Sequence, residues 1–167
     1  MRARALASVC AQTLQPHYVS VMVDHMRDGE INTRNILLEN VTTRWVAWLD
    51  DDDEMLPDHL QLLMEASHGV DLVYSDYESI GASYRASFIE PAYLARTEAL
   101  WAVGGYPFPD SEDWPYNYGD WGMLARLLVN GYDFKRVPLV TWRKHIHETN
   151  ICGVGFEVDE TRGKIGS

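Results

Sequence analysis

Four consecutive aspartates occupy residues 50–53, between an apolar run at residues 45–49 and a stretch that reads as the start of a helix. Like charges at the end of a buried strand repel one another, and a bound cation relieves that repulsion. In an extended pleat Asp50 and Asp52 point to the same side, so both can offer an oxygen to one ion. The pattern therefore indicates a site for Mg²⁺ or Mn²⁺ that also accepts phosphate oxygens. The alternative is an acidic turn in which Asp53 caps the next helix.

A second carboxylate that could do chemistry is Asp120, which follows Gly119 at the expected start of a helix and just after an aromatic loop. A carboxylate is stabilised at a helix N-terminus, and one that faces a cleft can take a proton from a hydroxyl group. A role as a simple helix cap is the alternative. Glu112 and Asp113, in the loop itself, compete with Asp120 for the same role.

Two histidines and one arginine could complete such a site. His145 and His147 alternate on a segment expected to be extended, so their imidazoles would share one side, and His147 is the stronger candidate for a metal ligand. Surface or hydrogen-bonding roles are the alternative for both. Arg34 precedes the aspartates within a helical segment and can contact a diphosphate or form a salt bridge with the acidic cluster.

The elements that must position these residues alternate between helices and strands. Apolar residues at helical spacing predict helices over residues 2–13, 30–40, 56–64, 91–103 and 121–128, with Gly131 ending the last. Less polar side chains of the first helix are Leu6, Val9, Cys10 and Thr13. Apolar and β-branched runs predict strands at residues 18–23, 44–49, 71–75, 83–89 and 134–142. This order predicts an α/β fold with a doubly wound, mostly parallel sheet, whose ligands bind at the carboxyl ends of the strands.

The bulk composition narrows the functional classes. A chain of 167 residues with 46% hydrophobic residues is long enough for one domain with its own core. Its formal charge of −11 disfavours nucleic acid and anionic membrane surfaces as partners. Cys10 and Cys152 form no CxxC pair, and no apolar run approaches the roughly 20 residues of a membrane span. We therefore expect a cytoplasmic protein without membrane insertion.

Several short segments share their order and spacing with a known family. They are residues 5–9 (ALASV), 11–13 (AQT), 21–24 (VMVD), 34–35 (RN), 45–53 (WVAWLDDDD), 71–76 (DLVYSD), 103–106 (VGGY), 120–121 (DW) and 126–127 (RL). Together they resemble family 2 glycosyltransferases of GT-A fold, over most of residues 3–145. The resemblance implies a GT-A-like domain over residues 1–152 and a flexible tail over residues 153–167.

The same resemblance assigns roles to individual residues. Asp24 would contact the nucleobase, and Asp50, together with Asp51 and Arg34, would belong to the donor-binding residues, with Asp50 at the ribose or in the metal shell. The metal ligands would be Asp52, on the ion that bridges the diphosphate, and His147. Asp120 would be the catalytic base.

The reaction implied is metal-dependent transfer of a sugar, with inversion, from a nucleotide diphosphate to a hydroxyl acceptor. We expect Mn²⁺ or Mg²⁺ as the ion and a UDP-sugar as the donor, with GDP- and dTDP-sugars as alternatives.

Two departures from the family pattern support a second hypothesis. Gly119 stands where the family has a Glu before its base. The family also opens on a β-strand and a Thr-x-x-Arg-like turn that line the nucleotide pocket, whereas this sequence opens on a helix, which implies a truncated N-terminus. A non-catalytic module that binds sugar nucleotides or glycans is therefore the alternative. A nucleotidyltransferase is disfavoured because a Gly-rich basic loop is missing near the start.

Overall fold

A computed structural model describes residues 2–25, 29–81, 89–108 and 119–147. The helices are α1 (Arg2–Cys10), α2 (Glu30–Glu39), α3 (His59–Ala66), α4 (Thr97–Ala102) and α5 (Gly119–Val129). The strands are β1 (Trp45–Ala47), β2 (Glu54–Met55), β3 (Leu72–Ile80), β4 (Leu94–Arg96) and β5 (Phe134–His145). Glu112, Asp113 and the predicted tail lie outside the described residues, as does most of the predicted strand at residues 83–89.

The described strands form one sheet in the order β1-β4-β3-β5-β2. β3 pairs in parallel with β5 along its whole length, whereas β4 pairs antiparallel with both β1 and β3, and β2 pairs antiparallel with β5. The strands β1, β3 and β5 thus run in one direction, and the two short strands β4 and β2 run against them. The predicted α/β class is confirmed, with a sheet that is mixed in its pairings.

Helices cover both faces of this sheet. Leu72 of β3 packs into a core cluster with residues of α2, α4 and α5, whereas its neighbour Val73 packs with Leu63 of α3 on the opposite face. Alternate side chains of a strand point to opposite faces, so a strand buried on both sides is apolar at consecutive positions. Each fully buried aliphatic side chain contributes roughly 1.5–3 kcal/mol to folding. The two clusters on opposite faces therefore hold the sheet in place between the helices.

The predicted helix over residues 91–103 is wrong in its first half. The chain forms strand β4 there and becomes helical only from Thr97. Leu94 and Ala95 are 4% and 0% exposed and pack on opposite faces of the sheet. Burial on both faces leaves no amphipathic period to distinguish a short strand from a helix.

The predicted strand at residues 18–23 is also wrong, because this segment joins no ladder among the described residues. Val19 and Val21 are 50% and 53% exposed, and one tie to the rest of the fold is the N–H of Thr42, which donates to the hydroxyl of Tyr18. β-branched side chains favour strands only where a neighbouring strand and a core are available to pack against. The segment instead runs over the surface as irregular chain.

Helix α1 packs against the rest of the fold through small and polar side chains rather than through the predicted Leu6, Val9 and Cys10 face. Its buried side chains are Ala5 and Ser8, followed by Gln12 after the helix ends. The hydroxyl of Ser8 accepts from the N–H of Met55, and the amide of Gln12 donates to the carbonyl of Leu56. These contacts tie the helix to the chain that follows the four aspartates.

Helix α3 begins three residues later than predicted, at His59. The side-chain oxygen of Gln12 accepts from the N–H of Leu60, so a distant residue satisfies a donor in the first turn of α3. Helix α5 ends as predicted, and Gly131 adopts a φ of 80° just beyond it. With only 11 residues α5 is the longest described helix, and no described helix is long and apolar enough to cross a bilayer.

Candidate active site

The four aspartates form a turn between β1 and β2 rather than an extended pleat. The N–H of Asp53 donates to the carbonyl of Asp50, which closes the turn at 3.2 Å. One carboxylate oxygen from each of Asp50, Asp52 and Asp53 lies within 4.8 Å of the others. Three hard oxygen donors at this spacing fit the ligand preference of Mg²⁺ and Mn²⁺. The turn therefore gathers the cluster that the sequence predicted from alternation, by a different geometry and with Asp53 added.

Asp53 is the most buried member of the cluster, at 2% exposure. The predicted cap on the next helix is wrong, because its Oδ1 accepts from the N–H of His145 at the end of β5. Burial raises the pKa of Asp53 to about 7, opposed by the His145 hydrogen bond and reinforced by the nearby charges of Asp50 and Asp52. Loss of hydration likewise raises the pKa of Asp50 to about 6. A cation bound among these oxygens would favour their ionised forms.

Stability should fall with rising pH because of Asp53. A carboxyl whose pKa is higher in the folded than in the unfolded chain binds more protons when folded, so its contribution is complete below about pH 4 and is lost as the pH rises through about 7. We expect Asp53→Asn, which keeps an oxygen for the His145 N–H, to be more stable than the parent at pH 8 by about 2 to 3 kcal/mol. Urea unfolding in EDTA at pH 4.5, 6 and 8 measures the difference.

The control for this prediction is Asp58→Asn, since Asp58 is exposed and its side chain caps no helix N–H. It should leave the pH dependence of the unfolding free energy unchanged. Parallel pH curves for the parent and Asp53→Asn would contradict the assignment of that dependence to Asp53.

Arg34 on α2 lies at the centre of a second cluster. One guanidinium nitrogen donates to Asp120 at 2.9 Å, and the other donates to Asp50 at 2.8 Å and forms an ion pair with Glu30 at 2.6 Å. The residue is 5% exposed. Burial alone lowers the pKa of Arg34, but Asp120 and Asp50 outweigh it, so that the pKa lies well above its ordinary value. The guanidinium is thus a permanent cation that joins the acidic turn to the start of α5.

Two aromatic rings pack against the guanidinium of Arg34. The guanidinium carbon lies 5.8 Å from the ring centre of Trp48 and 5.6 Å from that of Tyr106, and the two rings meet edge to face. Aromatic faces attract a cation most strongly where water is excluded. Trp48, 8% exposed, belongs to the apolar run before the aspartates, so the same run fills the core and contacts the cation.

Asp120 lies in the first turn of α5, at the start of a helix as predicted, and belongs to the Arg34 cluster. Its Oδ1 accepts from Arg34 and, at 3.3 Å, from the hydroxyl of Tyr93, which in turn lies 2.6 Å from the hydroxyl of Tyr106. Burial raises the pKa of Asp120, while Arg34 and the Tyr93 hydrogen bond oppose the rise. Its Oδ2 receives no hydrogen bond from the described residues. One carboxylate oxygen is therefore held by the protein and the other remains available for a proton.

Sequence reasoning missed Tyr93 and Tyr106. Both are buried, at 0% and 1% exposure, which in a sequence looks like ordinary core. Tyr93 follows Ala92, whose φ of 110° is unusual for a residue with a Cβ, and strained backbone of this kind concentrates near functional sites. Such strain depends on the backbone conformation, which the residue types at positions 92 and 93 do not indicate. The VGGY segment gave a partial hint, since it contains Tyr106.

Asn35 fixes the position of Tyr106. Its side-chain amide donates to the carbonyl of Tyr106 and its side-chain oxygen accepts from the N–H of Tyr106, both at 2.8 Å. Gly105 makes this approach possible, because a Cβ there would lie 2.6 Å from the Asn35 oxygen, and its φ is 70°. Two adjacent residues of α2 thus contact different parts of the site. Arg34 contacts the carboxylates, and Asn35 holds the backbone of Tyr106, whose ring packs against Arg34.

The remaining predicted residues do not all lie together. Nε2 of His147 is 2.9 Å from Oδ2 of Asp52, so these two predicted metal ligands meet. Nε2 of His145 instead lies 3.5 Å from Glu54. Asp51 is exposed on the turn. Asp24 lies in the loop before α2, where its carboxylate accepts from the N–H of Gly29 at 2.8 Å.

The mixed sheet, the flanking helices and the acidic turn define a GT-A-like fold. The chain is similar to residues 1–349 of S. aureus TarS in complex with UDP-GlcNAc, with 15% identity and a TM-score of 0.59. It is also similar to the mannosyltransferase PcManGT from Pyrobaculum calidifontis in complex with GDP-Man and Mn²⁺, with 17% identity and a TM-score of 0.57. The matches cover 73% and 74% of this chain but only 40% and 38% of those proteins.

The family follows from the sequence itself. Residues 2–104 match Glycosyl transferase family 2, and the chain belongs to this family. No curated protein sequence matches the chain at a significant level. The family match covers α1, the acidic turn and Arg34, whereas Asp120 lies beyond it.

Proposed function

We propose that this domain transfers a sugar from a nucleotide diphosphate to a hydroxyl acceptor, with inversion and with the help of a divalent cation. The observation that carries the proposal is the joining of the acidic turn to Asp120 through the buried Arg34. A donor-binding cluster and a base held side by side are what a direct displacement requires. The solved relatives bind UDP-GlcNAc, or GDP-Man with Mn²⁺, which supports a donor of the same chemical class.

In this proposal each residue has one task. Asp52, with His147 beside it, and the buried Asp53 would hold Mn²⁺ or Mg²⁺, and the ion, when bound, would supply charge stabilisation to the departing diphosphate. Asp50 would contact the ribose, with its carboxylate oriented by Arg34. Asp51 would contribute to the donor site from the exposed side of the turn, and Asp24 would contact the nucleobase from the loop before α2.

The proton is handled by Asp120. As the acceptor oxygen forms its bond to the anomeric carbon, the bond from that carbon to the diphosphate oxygen breaks and the electron pair leaves with the nucleotide. The acceptor proton passes to Oδ2 of Asp120, the oxygen that Arg34 and Tyr93 leave available. Burial, which raises the pKa of Asp120, makes it a better base than an exposed aspartate.

A non-catalytic module that binds sugar nucleotides or glycans is the second candidate. It is favoured by the irregular, exposed chain at residues 18–23, because Asp24, the proposed nucleobase contact, follows a segment that the sheet does not hold. Such a module would bind nucleotide diphosphate without turnover. We place both candidates in the cytoplasm as part of the proposal.

Thermal unfolding with nucleotides tests the donor site. We expect UDP or GDP with Mn²⁺ to raise the Tm, because a ligand that binds only the folded state stabilises it by linkage, by about 2.7 kcal/mol at a concentration 100 times its Kd. Asp52→Ala should abolish the shift. The experiment compares UDP, GDP, dTDP and ADP, each with Mn²⁺ and with EDTA.

The matched control is Asp58→Ala, which removes an exposed carboxylate six residues after Asp52 and should keep the full shift. A nucleotide panel that leaves the Tm of the parent unchanged would refute the donor site. A shift with every nucleotide tested and no release of sugar from UDP-GlcNAc or GDP-Man would favour the binding module.

A further inference from the structure

The cluster around Asp120 contains groups that the reaction does not use directly. Tyr93 and Arg34 both contact the same oxygen, Oδ1, whereas among the described residues nothing donates to Oδ2. Tyr93 comes from the chain before β4, Arg34 from α2 and Asp120 from α5. Two separate segments therefore converge on one carboxylate oxygen of a third element, α5.

We propose that Tyr93 and Arg34 are positioning residues that hold Oδ1 of Asp120, so that Oδ2 alone receives the proton of the acceptor. This inference rests on the proposed function for the identity of the reaction, while the anchoring itself can be measured without any substrate. It gives Arg34 a second task, since the same guanidinium also orients Asp50 on the donor side.

The direction of the hydrogen bonds supports this assignment. Burial raises the pKa of Tyr93 well above its ordinary value, and burial likewise raises that of Tyr106, so both hydroxyls keep their protons. If Tyr93 donates to Asp120, its own oxygen is free to accept from Tyr106, 2.6 Å away. The position of Tyr106 is in turn fixed by the two Asn35 hydrogen bonds. Tyr106 can therefore donate to Tyr93, and Tyr93 to Asp120, while the backbone of Tyr106 is held by Asn35.

Other charged groups near Asp120 also shift its pKa. The charged or titratable groups that face it or influence its pKa are Arg34 and Glu30 on α2, Asp50 after β1, Glu90 and Tyr93 before β4, and Tyr106 after α4. Glu30 and Glu90 favour the protonated form of Asp120. Arg34 and the Tyr93 hydroxyl stabilise its ionised form, so losing the hydrogen bond from either should raise the pKa of Asp120.

Tyr93→Phe is the most informative variant, because it removes one hydroxyl and keeps the buried ring. Arg34→Lys keeps the charge and loses the geometry that allows contact with two carboxylates at once. Tyr77→Phe is the matched control, since Tyr77 is equally buried, at 1% exposure, in the separate cluster with Trp142. All three are compared with the parent chain.

The first readout needs no substrate. We expect the ¹³Cγ resonance of Asp120, assigned with Asp120→Asn and recorded in EDTA, to titrate at a higher pH in Tyr93→Phe and Arg34→Lys than in the parent. Tyr77→Phe should titrate as the parent does. If the first two variants also titrate as the parent does, Oδ1 is not anchored by these residues and the inference is overturned.

The second readout is hydrolysis of UDP-GlcNAc or GDP-Man with Mn²⁺, in which water replaces the acceptor. For Tyr93→Phe we expect the acid limb of kcat/KM to move to higher pH, with an approximately tenfold lower rate on that limb and an unchanged Kd for the nucleotide. Parent-like limbs in both variants would overturn the positioning role. If the parent hydrolyses neither donor but the resonance shifts as expected, the anchoring of Asp120 stands and the proposed transfer fails.

Discussion

Asp120→Asn should reduce the rate of sugar transfer by about 10²- to 10⁴-fold, the usual contribution of a general base, and leave nucleotide binding almost intact. Asparagine keeps an oxygen that accepts from Arg34 and Tyr93, so the cluster should persist, while the group that takes the proton is lost. The measurement is kcat for donor hydrolysis, beside the nucleotide Kd from calorimetry.

Asp50→Asn is the matched comparison, because it removes the charge of a different partner of Arg34. We expect this variant to weaken donor binding and to affect kcat less. If the two variants lost activity in the same way, loosening of Arg34 would explain both, and the base would lie elsewhere. Normal turnover by Asp120→Asn would also exclude Asp120 as the base.

Arg34→Met should destabilise the fold by about 3 to 5 kcal/mol, since it removes a buried cation and leaves its carboxylate partners uncompensated. The guanidinium side chain is only 6% exposed and contacts Glu30, Asp50 and Asp120. Urea unfolding at pH 7.5 measures the loss. The loss should shrink at pH 5, because Asp50, with a pKa of about 6, can then take up a proton.

Arg136→Met is the control for the loss of an arginine–aspartate pair. Arg136 makes two 2.7 Å contacts with Asp76, but its side chain is 43% exposed, so solvent screens the pair and the loss should be far smaller. The double variant Arg34→Met/Asp120→Asn should recover part of the stability that Arg34→Met loses. If Arg34→Met and Arg136→Met lowered the free energy of unfolding equally, burial would not explain how much the Arg34 ion pairs contribute to stability.

The sequence predicted those parts of the site that depend on local chemistry. These parts are the four aspartates after an apolar run, the carboxylate of Asp120 at the start of a helix, and Arg34, for which a salt bridge to the acidic cluster was one of two alternatives. Periodicity also predicted the ends of α2 and α5 to within two residues, and the stop at Gly131. These features involve side chains whose charge or backbone freedom is informative on its own.

The parts that failed depend on partners distant in sequence. Strand β4 escaped prediction because Leu94 and Ala95 are buried on both faces, and residues 18–23 were assigned to a strand for which the described sheet offers no neighbour. Asp53 pairs with the backbone of His145, 92 positions away, rather than with the adjacent helix. Tyr93 looked like core because its ring is core, and only its hydroxyl belongs to the site. In such a residue the buried ring stabilises the fold and the hydroxyl contacts the site, and a single sequence does not distinguish the two roles.

The adjacency of Arg34 and Asn35 constrains how α2 can evolve. Neighbouring residues on an α-helix are rotated by about 100°, so one turn of α2 contacts the carboxylates and the Tyr106 backbone from two directions at once. An inserted or deleted residue ahead of this pair would have to be absorbed in the loop before Gly29, since any rotation of the helix would break both attachments together. Changes in chain length are therefore confined to that loop, while α2 keeps a fixed spacing between the carboxylates and the Tyr106 backbone.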